Sequence, residues 1–534
     1  MLEDGMKLIL DNIFYILSNY SLLIPLLMVM VYVMMDVFRQ NPEVHHTPAF
    51  KLRRVINWLP LGLTYAFLYM ARYNLTVAKT ALGNGLMSKE QFGVIFGTGA
   101  LVYGFSFLIN GPLTDKIGGK ATIIISAVGA ATANILMGVF LYGKLIKGWA
   151  MDLTFAFVML YALNMYFQSF GAVAIVKVNA AWFHVRERGV FGGIFGILIS
   201  LGLFLAYDPS NLIVDATKSV VDPTKLSGLQ MSLRSLLSVN GSPVDQTWWV
   251  FIVPAAVLIL FAFLDWLIIR DAPSGAGFKD FYLADASSGE EDKPFHLGEI
   301  LKKILTNKII LTIAFIEFCT GVLRQSVMQW YPIFRKEIPD IAAKSGMIIN
   351  QNVLDFMGKH WGLILMFAGV FGGIIAGWVS DRIFKSRRGP VAALLYGLMF
   401  MSAVVMIFTV KGNQLYLAIA AVMLSFAVIG THGMLSGTST MDFGGRRAAG
   451  TAVGLIDGFV YFGTALQGYC LGIITTLDWG YWPVFMIPFT IIGFILAMRI
   501  WKAIPVPNAR QVAAIKPAVE PGAGLVAGEV PKAD

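Results

Sequence analysis

Five ionisable residues stand where charge is expensive. Arg72, Lys177 and Arg324, with Glu317 and Asp457, lie inside apolar blocks long enough to cross a bilayer. An ionisable group at that depth marks a candidate functional site. Arg72 comes 18 residues after Arg54 and Arg324 comes 16 after Lys308, so both arginines reach similar depth from the same side. A guanidinium stays charged and presents a planar fork of donors that matches carboxylate or phosphate. Two facing forks suit an anion with several oxygens, and phosphate, with its higher charge, gains most from both. The competing reading is structural, with Glu317 and Asp457 neutralising the arginines. Three cations against two carboxylates leave a positive residue, which favours anion binding. Tyr65 and Tyr69 precede Arg72 by seven and three residues, share its helix face, and can hydrogen-bond the anion or the guanidinium. Lys177 either faces the same cavity or snorkels to the membrane surface. Glu317, two turns before Arg324, and Asp457 read as counter-charges or proton sites.

The elements that carry these residues follow from composition. The chain has 534 residues, 57% hydrophobic and only 14% charged, against about 25% charged in a soluble domain. That excludes a set of soluble domains. The apolar runs predict helical spans at 9–35, 55–78, 92–112, 121–143, 152–182, 188–206, 248–269, 308–333, 356–379, 390–410, 415–437, 449–475 and 481–501. The expected fold is an all-α polytopic membrane protein with one leading helix and twelve further spans. Residues 1–50 form the extra N-terminal helix and connector, 51–270 a first six-helix half, and 271–307 a polar central linker. Residues 308–504 form the second half and 505–534 a disordered tail. Loops on one side hold 25 Lys and Arg and those on the other hold 13. The basic side is therefore read as cytoplasmic, with the C-terminus inside and the N-terminus outside. The net charge of +9 then reflects topology and needs no nucleic-acid partner. Cys319 and Cys470 both lie in apolar blocks and suggest no disulfide framework.

Two cytoplasmic turns repeat one pattern. Gly111-Pro112-Leu113-Thr114-Asp115-Lys116-Ile117 follows the third span, and Gly377-Trp378-Val379-Ser380-Asp381-Arg382-Ile383 follows the ninth. Glycine lets helices approach at the turn. The aspartate can cap a helix or pair with a basic neighbour. Such a clasp can hold the cytoplasmic side shut, so Gly111, Asp115, Lys116, Gly377, Asp381 and Arg382 are candidate gate residues. Glycine stripes at Gly189, Gly192, Gly193 and Gly196 and at Gly369, Gly372, Gly373 and Gly377 suit close helix packing.

The repeated turn resembles the loop signature of the major facilitator superfamily, whose two halves are parallel repeats with the substrate between them. The region around Arg72, the run Val102-Tyr103-Gly104-Phe105-Ser106, Glu187-Arg188-Gly189 and Arg270-Asp271-Ala272-Pro273 narrow the resemblance further. With Leu323-Arg324, Trp330, Pro332 and Arg447-Ala448-Ala449-Gly450-Thr451-Ala452-Val453-Gly454, they resemble the organophosphate:phosphate antiporters. That family includes bacterial glycerol-3-phosphate and hexose-phosphate transporters. The resemblance implies exchange of a phosphate ester for inorganic phosphate by alternating access, with one arginine from each half on the phosphate. Those positions match Arg72 and Arg324, and a tyrosine pair matches Tyr65 and Tyr69. Phe107, Ile199 and Met366 stand where the family's glycerol-3-phosphate transporters have a lysine, a histidine and a glutamate.

The expected function is secondary transport of a small phosphorylated metabolite across an inner or plasma membrane, by a monomer without cofactor or metal. No enzyme motif stands out. Two alternatives remain open. One is proton-coupled symport of an organic anion through Glu317 or Asp457. The other is a transporter-like sensor of phosphorylated metabolites that signals through the leading helix.

Overall fold

The computed structural model describes residues 23–38, 45–184, 187–222, 226–239, 242–281, 306, 308–384 and 387–502. The expected helix start at residue 9, most of the central linker and the tail lie outside these residues. The helices are α1 (Leu23–Phe38), α2 (Pro48–Leu86), α3 (Lys89–Ile117), α4 (Gly119–Ile146), α5 (Leu153–Ala180), α6 (Arg188–Ala216), α7 (Gly228–Leu236) and α8 (Trp249–Ile268). They continue with α9 (Lys308–Met328), α10 (Trp330–Ser345), α11 (Gln351–Lys359), α12 (Trp361–Arg382), α13 (Arg388–Thr409) and α14 (Gln414–His432). Then come α15 (Ser439–Leu477) and α16 (Tyr481–Arg499), with a π-helical turn at Gly433–Thr438 between α14 and α15. Among the described residues eleven helical segments are long and apolar enough to cross a membrane, one of them α9 and α10 taken together. The 39-residue α2, which carries Arg72 and Lys79, is long enough by far but more polar. With the shorter α1 this gives one leading helix and twelve further spans, as the sequence predicts.

Prolines place the breaks, and their neighbours repair them. Pro332 has no N–H for the Met328 carbonyl one turn back, so α9 ends there and α10 starts at Trp330. The freed carbonyl accepts from the Tyr207 hydroxyl at 2.8 Å and from Trp361 Nε1 at 3.2 Å. In α8, Pro254 frees the Val250 carbonyl, which accepts from Asn74 Nδ2 at 3.1 Å. The α6 helix runs to Ala216, ten residues past its expected end. Its extension is held at Asp208, whose carboxylate accepts from the Gly362 and Leu363 amides at the start of α12, at 2.7 and 3.1 Å.

The tightest helix crossings lie on α15. A Cβ on Gly321 of α9 would strike the Val460 carbonyl, and one on Gly463 would strike the Phe318 carbonyl. On the other side of α15, Gly93 of α3 backs onto Gly468 and Gly472, and Gly104 backs onto Gly458. Small residues give this closeness where no solvent drives apolar helices together. The glycine stripes of the sequence behave unevenly. Gly369 and Gly372 sit against Ser200 and Phe426, but Gly373, Gly377 and Gly196 face open space.

The leading helix is tied in by charge. Asp36 of α1 is 2% exposed. It accepts from Arg54 Nη2 at 2.5 Å and Trp58 Nε1 at 3.1 Å. Arg54 also donates to Glu187 at 3.0 Å, and His46 lies 3.0 Å from the same carboxylate. Burial would raise the Glu187 pKa, but the His46 hydrogen bond and the Arg54 charge outweigh it and hold it at about 2. Its stabilisation is therefore complete above the ordinary value of 4.5 and disappears only as pH falls toward about 2. Asp36→Asn leaves the buried Arg54 guanidinium with Glu187 as its one remaining carboxylate among the described residues, and the loss of a charge-assisted bond is expected to cost about 1.5–3 kcal/mol. Gly321→Ala is expected to cost about 1–3 kcal/mol by overpacking. Thermal unfolding in detergent reads both. Between pH 7 and 5 the wild-type midpoint should show no loss attributable to Glu187.

Candidate functional site

Helix α2 presents Tyr65, Tyr69 and Tyr73 one turn apart on one face. Their rings follow one another edge-on, with centroids 5.3 and 5.6 Å apart. Arg72 projects beside them and is fully buried. Its Nε donates to Gln168 Oε1 at 2.7 Å, Nη2 to the Tyr103 hydroxyl at 2.9 Å and Nη1 to the Tyr461 hydroxyl at 2.5 Å. The guanidinium carbon also lies 4.8 Å from the Tyr69 ring centre and 4.6 Å from that of Tyr103. All these partners are neutral. Tyr461 comes from α15 in the second half, so the bond crosses between the halves.

The backbone under Arg72 is clamped by α5. Tyr161 donates to the Arg72 carbonyl at 3.2 Å and Asn164 to the Ala71 carbonyl at 3.0 Å. Gln168 is steadied by its own bond to Asn164 at 3.0 Å. Tyr161, Asn164 and Gln168 recur at helical spacing on an otherwise apolar span. That polar stripe was visible in the sequence. Tyr461 also had a signal, one turn after Asp457.

Arg324 is 3% exposed and its Nε has no hydrogen-bond partner. Its electrostatic neighbours are Tyr73, Tyr69, Tyr461 and Asp457. The three tyrosines also lie around Arg72, so both arginines border one tyrosine-lined site. The adjacent Gln325 donates to the Tyr73 hydroxyl at 2.8 Å. Among the described residues no carboxylate lies within ion-pair distance of either arginine. Glu317, fully buried on α9, instead meets His432 Nδ1 at 2.8 Å. Asp457 accepts from Ser436 at 2.6 Å. His432 stood outside the sequence-based candidates because a lone histidine at the end of a span carries no pattern.

Lys177 lies elsewhere. Its Nζ bonds Asp115 at 2.9 Å. The other Asp115 oxygen accepts from the Thr451 amide of α15 at 3.2 Å. Gly111 lies under Gly454 in the same region, 3.7 Å from where a Cβ there would sit. Residues of the first repeated turn therefore meet α15 across the halves at the end of the helices that carries this turn. Lys116 and Arg382 are exposed and Gly377 faces open space. Asp381 falls in the last turn of α12, and its side chain lies outside the described set. On the opposite side of the arginines, Thr76 bonds Gln329. Farther out, Glu337 is held by Lys89 at 2.9 Å, Asn84 at 2.9 Å and Trp479 at 3.0 Å. Contacts between the halves thus lie both inward and outward of the buried arginines.

The Major Facilitator Superfamily profile matches residues 61–468. The glycerol-3-phosphate transporter of Bacillus subtilis is 25% identical over 490 residues, covering 88% of this chain and 98% of that protein. A probable hexose phosphate transport protein of Chlamydia trachomatis is 23% identical, covering 85% and 92%. The membrane sensor protein UhpC of Escherichia coli is 23% identical, with the same coverage. Among solved structures, a bacterial homolog of the human lysosomal transporter Spinster, inward-facing and unoccupied, superimposes with a TM-score of 0.59 at 16% identity. It covers 84% of this chain and 98% of its own.

Removing the cross-half acceptor tests the cage. Tyr461→Phe leaves one Arg72 donor without its partner and is expected to lower unfolding stability by about 1–3 kcal/mol, read by thermal unfolding of purified protein without added anion.

Proposed function

The chain belongs to the Major Facilitator Superfamily, and on that premise we propose that it exchanges a small phosphorylated metabolite for inorganic phosphate by alternating access. One observation carries the proposal. Two arginines, one from each half, are buried around shared tyrosines with no carboxylate paired to either among the described residues. The relatives named as phosphate-ester transporters support the substrate class.

A phosphate entering the site offers charged oxygens to Arg72 and Arg324 in place of neutral hydroxyls. Hydrogen bonds between two charged partners are about twice as strong as neutral ones. The anion therefore competes with Tyr461 and Gln168 for Arg72, and the released hydroxyls turn to donate to it. A ligand held from both halves favours the state in which the halves are closest. Asp115–Thr451 on the inner side and Lys89–Glu337 on the outer side are then the contacts that open alternately. Lys177 acts in the inner latch. In this reading the basic side, with the C-terminus, faces the cytoplasm.

Similarity to a protein named as a membrane sensor favours a second reading, in which the same site reports occupancy without flux. Exchange in proteoliposomes separates the two. Vesicles loaded with labelled phosphate should release it when certain phosphate esters are offered outside. No counterflow with any ester would sink the transport reading. Arg72→Lys should weaken half-saturation at least tenfold, about 1.4 kcal/mol, because an ammonium cannot form the fork. Unchanged exchange in that variant would remove the bidentate role.

A further inference from the structure

The two arginines differ in company. Arg72 is surrounded by neutral groups, whereas Arg324 shares its surroundings with Glu317, Asp457 and His432. With His432 neutral, two arginines and two carboxylates carry no net charge. A neutral, buried cluster has no surplus with which to hold a phosphate, and placing a further uncompensated negative charge there costs several kcal/mol.

The structure shows where compensation can enter. Glu317 has no exposed side-chain surface, and its Oε1 has no hydrogen-bond partner. Its Oε2 is bonded to His432 Nδ1, and the His432 side chain keeps 11% of its surface exposed. The imidazole is therefore the member of the pair that a proton can reach. The π-helical turn Gly433–Thr438 follows directly on His432 and carries Ser436, which bonds Asp457. Such turns are frequent at functional sites. Around the pair, the titratable and charged groups among the described residues are Arg324 and Cys319 on α9, Tyr396 on α13 and Asp457 on α15.

We propose that the Glu317–His432 pair takes up one proton when an anionic phosphate binds between Arg72 and Arg324. This rests on the reading of those arginines as a phosphate site. The proton comes from the solution the site faces and enters at the imidazole. It rests on the imidazole Nε2, while the hydrogen already on Nδ1 stays bonded to Glu317 Oε2, changing the pair from one negative charge to none. It returns to solution when the anion leaves. By linkage, the proton strengthens anion binding by the same factor as the anion strengthens proton binding. Exchange of one phosphate species for another then moves equal protons both ways, and only net anion movement responds to a pH gradient.

Calorimetric titration of the purified full chain with inorganic phosphate tests this, in buffers of differing ionisation enthalpy. At a pH of about 8.5 free inorganic phosphate is already mostly the dianion, so both variants report whether a proton taken up goes to the pair or to the anion itself. Wild type is expected to take up about one proton per phosphate, and its affinity to fall up to tenfold per pH unit as the pair loses its proton. Glu317→Gln and His432→Gln should still bind phosphate with uptake near zero. Glu317→Gln, neutral throughout, should bind at this pH at least as tightly as wild type. Phosphate binding by wild type without proton uptake overturns the proposal and leaves the arginine site standing. Full uptake retained in both variants also overturns it, because the proton then resides elsewhere. A wild type that binds no phosphate overturns the arginine site and this proposal together.

Discussion

A guanidinium sealed inside the protein and held only by neutral oxygens is the constraint around which the centre is built. Arg72 cannot shed its charge, and no described carboxylate pairs with it. Its donors must therefore be met by an amide and two phenols supplied from three other helices. The bond to Tyr461 spans the halves, so the arginine's own requirement for acceptors draws α2 toward α15. Anything that meets those donors better than Tyr461 changes the relation of the halves. This is why a single buried charge connects packing to the proposed transport cycle.

The same economy of polar groups recurs around it. Asn74 and Tyr207 fill the carbonyls left open by Pro254 and Pro332, and each thereby links two helices. Tyr207 also stacks toward Tyr73, with ring centres 6.3 Å apart, so the repaired break in α9 adjoins the tyrosine ladder. Prolines weaken helices, but here the exposed carbonyls become specific docking points for neighbours. The glycine crossings on α15 act differently: they fix closeness through shape alone. Together they let α15 touch both α3 and α9.

Charge pairing proper is kept to the membrane margins. Asp36, Arg54, Glu187 and His46 bind the leading helix to the start of α2, Lys177 pairs with Asp115 of the first repeated turn, and Lys89 holds Glu337 on the far side. These pairs lie between elements rather than within them. Asp271 adds a smaller device of the same kind, accepting from the Lys120 amide at 2.7 Å beside the left-handed Gly118. That bond gives the Arg270-Asp271-Ala272-Pro273 motif a structural task at the end of the first half.

Much of the architecture was legible from the sequence because a bilayer admits few solutions. Apolar runs of spanning length must be helices, and basic loops must lie at their ends. Charges inside such runs stand out, which is how Arg72, Arg324, Glu317 and Asp457 were singled out by position. The repeated turn likewise declared its own symmetry. Tyrosine and glutamine inside spans give a weaker signal, helical spacing alone, and a lone histidine gives none, since each is also ordinary packing material. Only the folded chain decided that Tyr103, Gln168 and Tyr461 enclose Arg72, that Glu317 meets His432, and that Lys177 belongs with Asp115. Those pairings join residues about 30 to 390 positions apart. They depend on which face each helix turns inward, and the bilayer, which imposes helices, is indifferent to that choice.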